Sequence, residues 1–235
     1  MGCRRPGGPC TRVTVHRPPG RSALPPVRGA GRLYTPRVNR RSNVGCLVEV
    51  VETLVLTLVI FFVIQNFIAQ PYQVQMNSME RTLEPGQYVL VDKLTPRWDA
   101  YKRGDIVVFN PPPAWTPDPT PFIKRVIGLP GDLVQIKDDG KVYVNGVALD
   151  EPYTYQNDQG VNEPTLPLTD QTSWTVPAGE LFVMGDHRQR SEDSRAFGPI
   201  PESSVIGRAF LRYWPLSTIG ILQTPSYPGV PPASP

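Results

Sequence analysis

Phe122-Ile-Lys-Arg-Val-Ile127, closed by Gly128-Leu-Pro-Gly131, is the stretch on which the fold turns. Six residues rich in β-branched and aromatic side chains, cut off by two glycines and a proline, read as a β-strand running into a turn. Side chains alternate along a strand, so Phe122, Lys124 and Val126 share one face, and Ile123, Arg125 and Ile127 the other. Similar short runs lie on both sides. Tyr88-Val-Leu-Val-Asp92 follows a Pro85-Gly86 turn, and Asp105-Ile-Val-Val-Phe109 follows Gly104. Leu133-Val-Gln-Ile136 and Val142-Tyr-Val-Asn145 flank Asp138-Asp-Gly140, a hairpin signature. Leu181–Met184 and Val205–Tyr213 complete the set. No window longer than ten residues beyond position 71 has convincing helical periodicity. The fold class expected is mainly β: an antiparallel barrel or sandwich-like domain over residues 70–222. Residues 148–175, polar and rich in Pro, Asn and Thr, look like an inserted excursion. Residues 223–235 are expected to form a loose, Pro-rich tail.

Ahead of this body the composition changes. Residues 1–45 hold ten Arg and no Asp or Glu, whereas residues 46–235 carry 14 Lys+Arg against 21 Asp+Glu. The total of +3 therefore averages a basic leader and an acidic body. The leader's arginines are not interleaved with aromatic residues, so they do not indicate a nucleic-acid partner. Such an Arg/Pro/Gly segment cannot bury a core, and residues 1–45 are read as disordered, or in part as upstream of the true start. Residues 46–69 are mostly Leu, Val, Ile and Phe, about the length of a bilayer span. Glu49 and Glu52 mark its first turns. A cleaved signal peptide and a buried core helix are the alternatives; a retained single-pass anchor fits best, because arginines cluster just before it. That charge asymmetry places the N-terminus in the cytoplasm of a plasma or inner membrane, and the β-rich body outside. All three cysteines (Cys3, Cys10, Cys46) precede the body, which leaves it without a disulfide framework or a thiol nucleophile.

Two residues carry the chemistry. Lys124 among apolar neighbours would lose its proton more readily than a solvated lysine, as a general base requires. Taken alone, it could equally be an edge-strand lysine whose head reaches water. Ser78 lies in Gln75-Met-Asn-Ser-Met-Glu-Arg-Thr-Leu83, about ten residues past the apolar span. There is no Gly-x-Ser-x-Gly elbow and no Ser-x-x-Lys. Of the two histidines, His16 is in the leader. His187 lies in Gly185-Asp-His-Arg-Gln-Arg-Ser-Glu-Asp-Ser-Arg195, where seven of eleven residues are charged or histidine. A solvated charge cluster is the ordinary account of such a run. Internal Asp193–Arg195 and Asp186–Arg188 pairs could also fold the turn.

Taken together these segments resemble a bacterial type I signal peptidase, from the apolar span to about Ile221. The matching motifs are Ser78-Met79 with Thr82-Leu83, Gly104–Phe109, Lys124–Asp132, Val142–Gly146, Gly185-Asp186 with Arg188, Ser191, Asp193-Ser-Arg195 and Gly198, and Tyr213-Trp-Pro215. The resemblance implies a membrane-bound serine endopeptidase that removes signal peptides from exported preproteins after Ala-x-Ala-like sites. It needs no metal or other cofactor; its partners are preprotein signal peptides and membrane lipid. It implies Ser78 as nucleophile and Lys124 as general base. Ser191 would orient the lysine amine, and Gly185 would leave room for that amine. Arg125, Asp186, Asp193 and Arg195 would brace the turn. Tyr72, Val74, Met79 and Ile123 would contact the substrate.

The chain departs from the family pattern in places. Met76 stands where a hydroxyl residue often helps stabilise the oxyanion, Asn77 replaces a common glycine, and Arg81 a common proline. His187, Gln189 and Arg190 replace the usual Asn, Asp and Asn. Two alternatives therefore stand beside the peptidase: a weakened anchored β-module that binds exported chains, which Met76 favours, and a related self-cleaving serine/lysine protease.

Overall fold

The computed structural model describes residues 43–231. The leader assigned to residues 1–45 lies outside the described residues, apart from the three that open the first helix. Helix α1 (Asn43–Val63) runs for 21 residues, roughly 30 Å at 1.5 Å per residue. From Leu47 to Val63 its Leu, Val, Ile and Phe side chains are exposed, and it is long and apolar enough to cross a membrane. The hydroxyls of Thr53 and Thr57 donate to the carbonyls of Glu49 and Thr53 at 2.8 and 2.7 Å, so neither needs water. One turn of wider helix, Ile64–Ile68, leads into the sheet.

The body is mainly β, as expected. Its strands are β1 (Ala69–Gln73), β2 (Tyr88–Asp92), β3 (Ile106–Phe109), β4 (Phe122–Gly128), β5 (Leu133–Ile136), β6 (Val142–Val144), β7 (Val147–Ala148), β8 (Ser173–Thr175), β9 (Glu180–Met184), β10 (Ile200–Pro201), β11 (Val205–Trp214) and β12 (Gly220–Ile221). A short helix, α2 (Ser194–Phe197), follows the charged turn. One sheet runs β1-β2-β11-β3-β4-β9-β10 with β12 added beside β11; the other runs β7-β6-β5-β8. All pairings are antiparallel. Register shifts in β11, between Ala209 and Leu211 and between Arg212 and Trp214, are the bulges that curl the larger sheet. Its ends, β1 and β10, do not pair with each other, so the barrel is open.

Strand β4 is the seam of the molecule. It pairs with β3 (Val107 opposite Lys124) and with β9 (Arg125 opposite Met184). Lys124 through Gly128 are all buried, and three apolar clusters meet around them, centred on Val74–Val91, on Phe109–Leu181 and on Val134–Trp174. This burial on both faces is why an apolar run rather than a clean alternation encodes the strand.

Two expectations need correction. Residues 148–175 are not wholly an insertion, since both ends are strands of the smaller sheet. The stretch between them has only a Gln156–Asn162 bridge, yet it lies as a strap against the charged turn, with Thr154 and Thr165 buried. The tail is not loose as far as it is described. Thr224 Oγ1 donates to Asp105 Oδ1 at 2.9 Å, and Tyr227 and Val230 pack on the apolar cluster around Trp174. Pro225 packs so closely on Gly104 that a Cβ there would lie 2.8 Å from its Cδ. Proline forbids ladder hydrogen bonds, but it does not prevent its ring from packing. Residues 232–235 lie outside the described residues.

Candidate active site

Strand β1 and a tight turn position Ser78. The Val74 N–H donates to Gln87 O and the Val74 carbonyl accepts from the Gly86 N–H, both at 2.8 Å, which extends the β1–β2 ladder by one residue. The chain then winds through a 3₁₀ turn, Asn77–Met79, and Leu83 N–H closes it on Met79 O at 2.7 Å. The turn buries Ser78, which is 2% exposed, and directs it at β4. Lys124 Nζ lies 2.7 Å from Ser78 Oγ, and Lys124 is also 2% exposed. Its amine sits 5.3 Å from the centroid of the Phe122 ring. Burial pushes the lysine pKa down to about 8; Asp193 opposes that shift and Arg195 reinforces it. A hydroxyl and an amine that sheds its proton near neutrality therefore share a buried contact.

Most of the charged turn is buried rather than solvated; only Gln189, Arg190 and Glu192 are exposed. Arg125 grips Asp186 through Nε–Oδ1 at 2.9 Å and Nη2–Oδ2 at 2.7 Å, donates from Nη1 to Gly104 O at 2.7 Å, and stacks 4.0 Å from the Tyr153 ring centroid. Burial alone would lower the arginine's pKa, but the adjoining carboxylate outweighs it and raises it. Arg188 does not pair with Asp186, as the local sequence suggested. It takes Glu151 of the strap, at 2.6 Å from Nη2 and 3.0 Å from Nη1. Asp193 and Arg195 pair as expected, Nε–Oδ1 at 2.9 Å. Burial pushes the Asp193 carboxyl up, yet Arg195, the Gly185 N–H and the Ser191 hydroxyl together hold it below its usual value.

Ser191, Gly185 and His187 adjoin the Ser78 segment. The Ser191 hydroxyl donates to Asp193 Oδ2 at 2.7 Å, not to the lysine amine. Gly185 leaves room for Ser191 and for the Ser78 backbone: a Cβ there would stand 2.5 Å from both Ser191 Cβ and Ser78 O. His187 is 3% exposed and stacked on Tyr155, with ring centroids 3.9 Å apart. Its Nδ1 is 2.5 Å from Glu80 Oε2, and its Nε2 lies 3.4 Å from Glu163 Oε2, close but not aligned as a hydrogen bond. Its link to Ser78 is through the backbone, with His187 N–H donating to Ser78 O at 3.0 Å.

Beside Ser78 and Lys124 opens a cavity of about 180 Å³, walled by Tyr72, Val74 and Ile123 together with Met76, Val89 and Phe122. Met79 does not reach it. Fully buried, it packs with Leu83 and Val89, because the 3₁₀ turn sends adjacent side chains in different directions. Sequence patterns missed the strap residues Glu151, Tyr153 and Glu163. They also missed a second cavity that Ser78 and Lys124 line, bounded by Leu168, Gln189, Arg190 and Glu192. Only pairing across distant segments could have revealed these.

The family described as Signal peptidase, peptidase S26 matches residues 47–214. The signal peptidase IB of Staphylococcus aureus is 36% identical over 180 residues, 73% of this chain and 91% of its own length. The probable signal peptidase I-2 of Synechocystis sp. is 37% identical over 176 residues, 74% of this chain and 76% of its own. A crystal structure of a signal peptidase I from Enterococcus faecalis V583 aligns at 38% identity over 47% of this chain and 97% of that one, with a TM-score of 0.38. The family match and the curated relatives carry the conclusion: this chain belongs to the type I signal peptidases, serine endopeptidases of peptidase family S26.

Proposed function

We propose that Ser78 and Lys124 form the catalytic pair of this peptidase, and that it cuts exported preproteins after Ala-x-Ala-like sites. The observation that carries the proposal is the 2.7 Å contact between a buried amine and a buried hydroxyl. Neutral Lys124 takes the Ser78 proton as Oγ attacks the scissile carbonyl. The ammonium so formed returns that proton to the leaving amine, and the free base then activates the water that releases the acyl chain. The Ser78 N–H is the donor for the oxyanion. Met76 offers no hydroxyl, and one missing donor typically costs about 10²–10³ in rate.

Substrate recognition follows from the sheet. Strand β1 ends the larger sheet, so an extended signal-peptide segment can add beside it through main-chain hydrogen bonds. A cavity of about 180 Å³ lies below the usual range for drug-sized ligands and suits small side chains. Tyr72, Val74 and Ile123 would line the pockets that accept them. Helix α1 would hold the domain at the membrane, in contact with lipid, and the ten leader arginines would keep the N-terminus cytoplasmic and the catalytic domain outside.

The test is cleavage of an Ala-x-Ala preprotein by the full chain in detergent. Loss of cleavage in Ser78→Ala and in Lys124→Ala is the expected result. Preprotein left intact beside an active control enzyme would overturn the proposal, as would cleavage confined to the chain itself.

A further inference from the structure

Ser78 and Lys124 lie at the junction of two cavities, which share Met76, Phe122 and these two residues as a common wall. The first runs along β1. The second, about 520 Å³, is walled by Leu168 of the strap and by Gln189, Arg190, Ser191 and Glu192 of the charged turn. Arg195 ties these walls together, donating from Nη1 to Leu166 O at 2.9 Å and from Nη2 to Ser191 O at 3.0 Å. A peptide bond held at Ser78 has a chain on each side of it. If the signal-peptide side fills the first cavity, the second, which also reaches Ser78, is free to take the chain beyond the cut.

We infer that the second cavity is the binding site for the first residues of the mature chain, and that Arg190 and Glu192 read their charge in opposite senses. This rests on the function proposed above. The wall combines apolar Met76, Phe122 and Leu168 with one exposed guanidinium, Arg190, and one exposed carboxylate, Glu192. The Arg190 side chain is 62% exposed, and its nearest ion partner, Glu80, is 3.8 Å away. Glu80 is already engaged, by Asn77 Nδ2 at 2.6 Å on Oε1 and by His187 Nδ1 on Oε2. Arg190 is therefore open to a carboxylate from a passing chain. Glu192 has no hydrogen-bond or ion-pair partner among the described residues and is open to a cation.

The experiment uses the full chain in detergent and three peptides with one Ala-x-Ala site. The two residues after the cut are both Glu, both Lys or both Ser. The readout is the ratio of kcat/KM for the Glu peptide to that for the Lys peptide. Arg190→Glu is expected to lower this ratio, and Glu192→Lys to raise it, each by about threefold to fivefold, the upper part of the span that exposed charge pairs produce. Lys141→Glu, on the exposed turn between β5 and β6, should leave the ratio as in wild type. Added salt should shrink both shifts. Ratios that stay within twofold of wild type in both variants, while the Ser peptide is cut normally, would overturn this inference and leave the peptidase proposal standing. Failure of the wild type to cut any of the three peptides would overturn both.

Discussion

The main-chain N–H of His187 donates to the carbonyl of Ser78 at 3.0 Å, fastening the residue beside Lys124 to a turn more than a hundred positions away in the chain. The neighbouring contacts make the fastening rigid. Thr82 Oγ1 donates to Asp186 Oδ2 at 2.5 Å, and Gly185 N–H donates to Asp193 Oδ2 at 3.0 Å. The buried arginines and aspartates thus serve as a mount for the Ser78 segment. Buried ion pairs add little net stability over apolar packing, but they tolerate few alternative geometries, a property suited to holding two reacting atoms in register.

Activity should follow the protonation of Lys124. With the amine's pKa near 8, kcat/KM should rise about tenfold per pH unit below that value and level off above it. Lys124→Arg keeps a cation and cannot deprotonate usefully, so it should show no turnover at any pH while its far-UV circular dichroism stays unchanged. A flat profile from pH 6 to pH 9 would remove Lys124 as the base.

Gly185→Ala should damage the site even though it adds only one methyl. That methyl would lie 2.5 Å from Ser191 Cβ and Ser78 O, atoms fixed by the Asp193 and His187 hydrogen bonds. Overpacking of this kind costs about 1–3 kcal/mol. Because the displaced atom belongs to Ser78, kcat should fall by more than the stability loss alone implies. Steady-state kinetics and urea unfolding of the same preparation would separate the two effects.

The strands were legible from local patterns because each is a short apolar run between Gly or Pro turns, and Lys124 stood out because a charge within such a run is unusual. The charged turn was misjudged for a physical reason: whether a carboxylate is solvated depends on what lies across from it. Arg125 on β4 and Glu151 in the strap supply the partners of Asp186 and Arg188. No periodicity encodes such pairings. Met79 and the tail failed similarly, since a 3₁₀ turn and a proline-rich segment leave side-chain directions open until the core forms around them.

Arg125→Met should destabilise the fold by about 3–5 kcal/mol, since it leaves the fully buried Asp186 without its bidentate partner. The double variant Arg125→Met/Asp186→Leu should recover part of that loss, because it removes both charges together. Urea midpoints for the two singles and the double provide the cycle. Additive losses would mean that the pair does not act as a unit.

Tyr227→Phe tests the packed tail. The two hydroxyls of Tyr153 and Tyr227 are 2.8 Å apart, and burial pushes the Tyr227 phenol up to about 12. Removing one hydroxyl from such a contact typically costs about 1 kcal/mol. A tail free in solvent would give no change in the thermal midpoint.

Lys124→Met should stabilise the domain, and the sign can be worked through. The amine titrates near 8 in the folded chain against an ordinary 10.5, so folding disfavours its charged form. Below pH 8 both folded and unfolded chains carry the proton, and the full penalty applies, about 3 kcal/mol for a shift of this size. Between pH 8 and 10.5 the folded chain is neutral while the unfolded chain still binds the proton, so the penalty fades as pH rises; above 10.5 it is gone. Wild-type stability should accordingly climb relative to Lys124→Met across that window, and the variant's advantage should be largest near pH 7. Unfolding free energies of both proteins at pH 7 and pH 10 decide the matter. An equal gap at the two values would mean that burial does not set the lysine's protonation, and the chemical case for Lys124 as base would lose its cause.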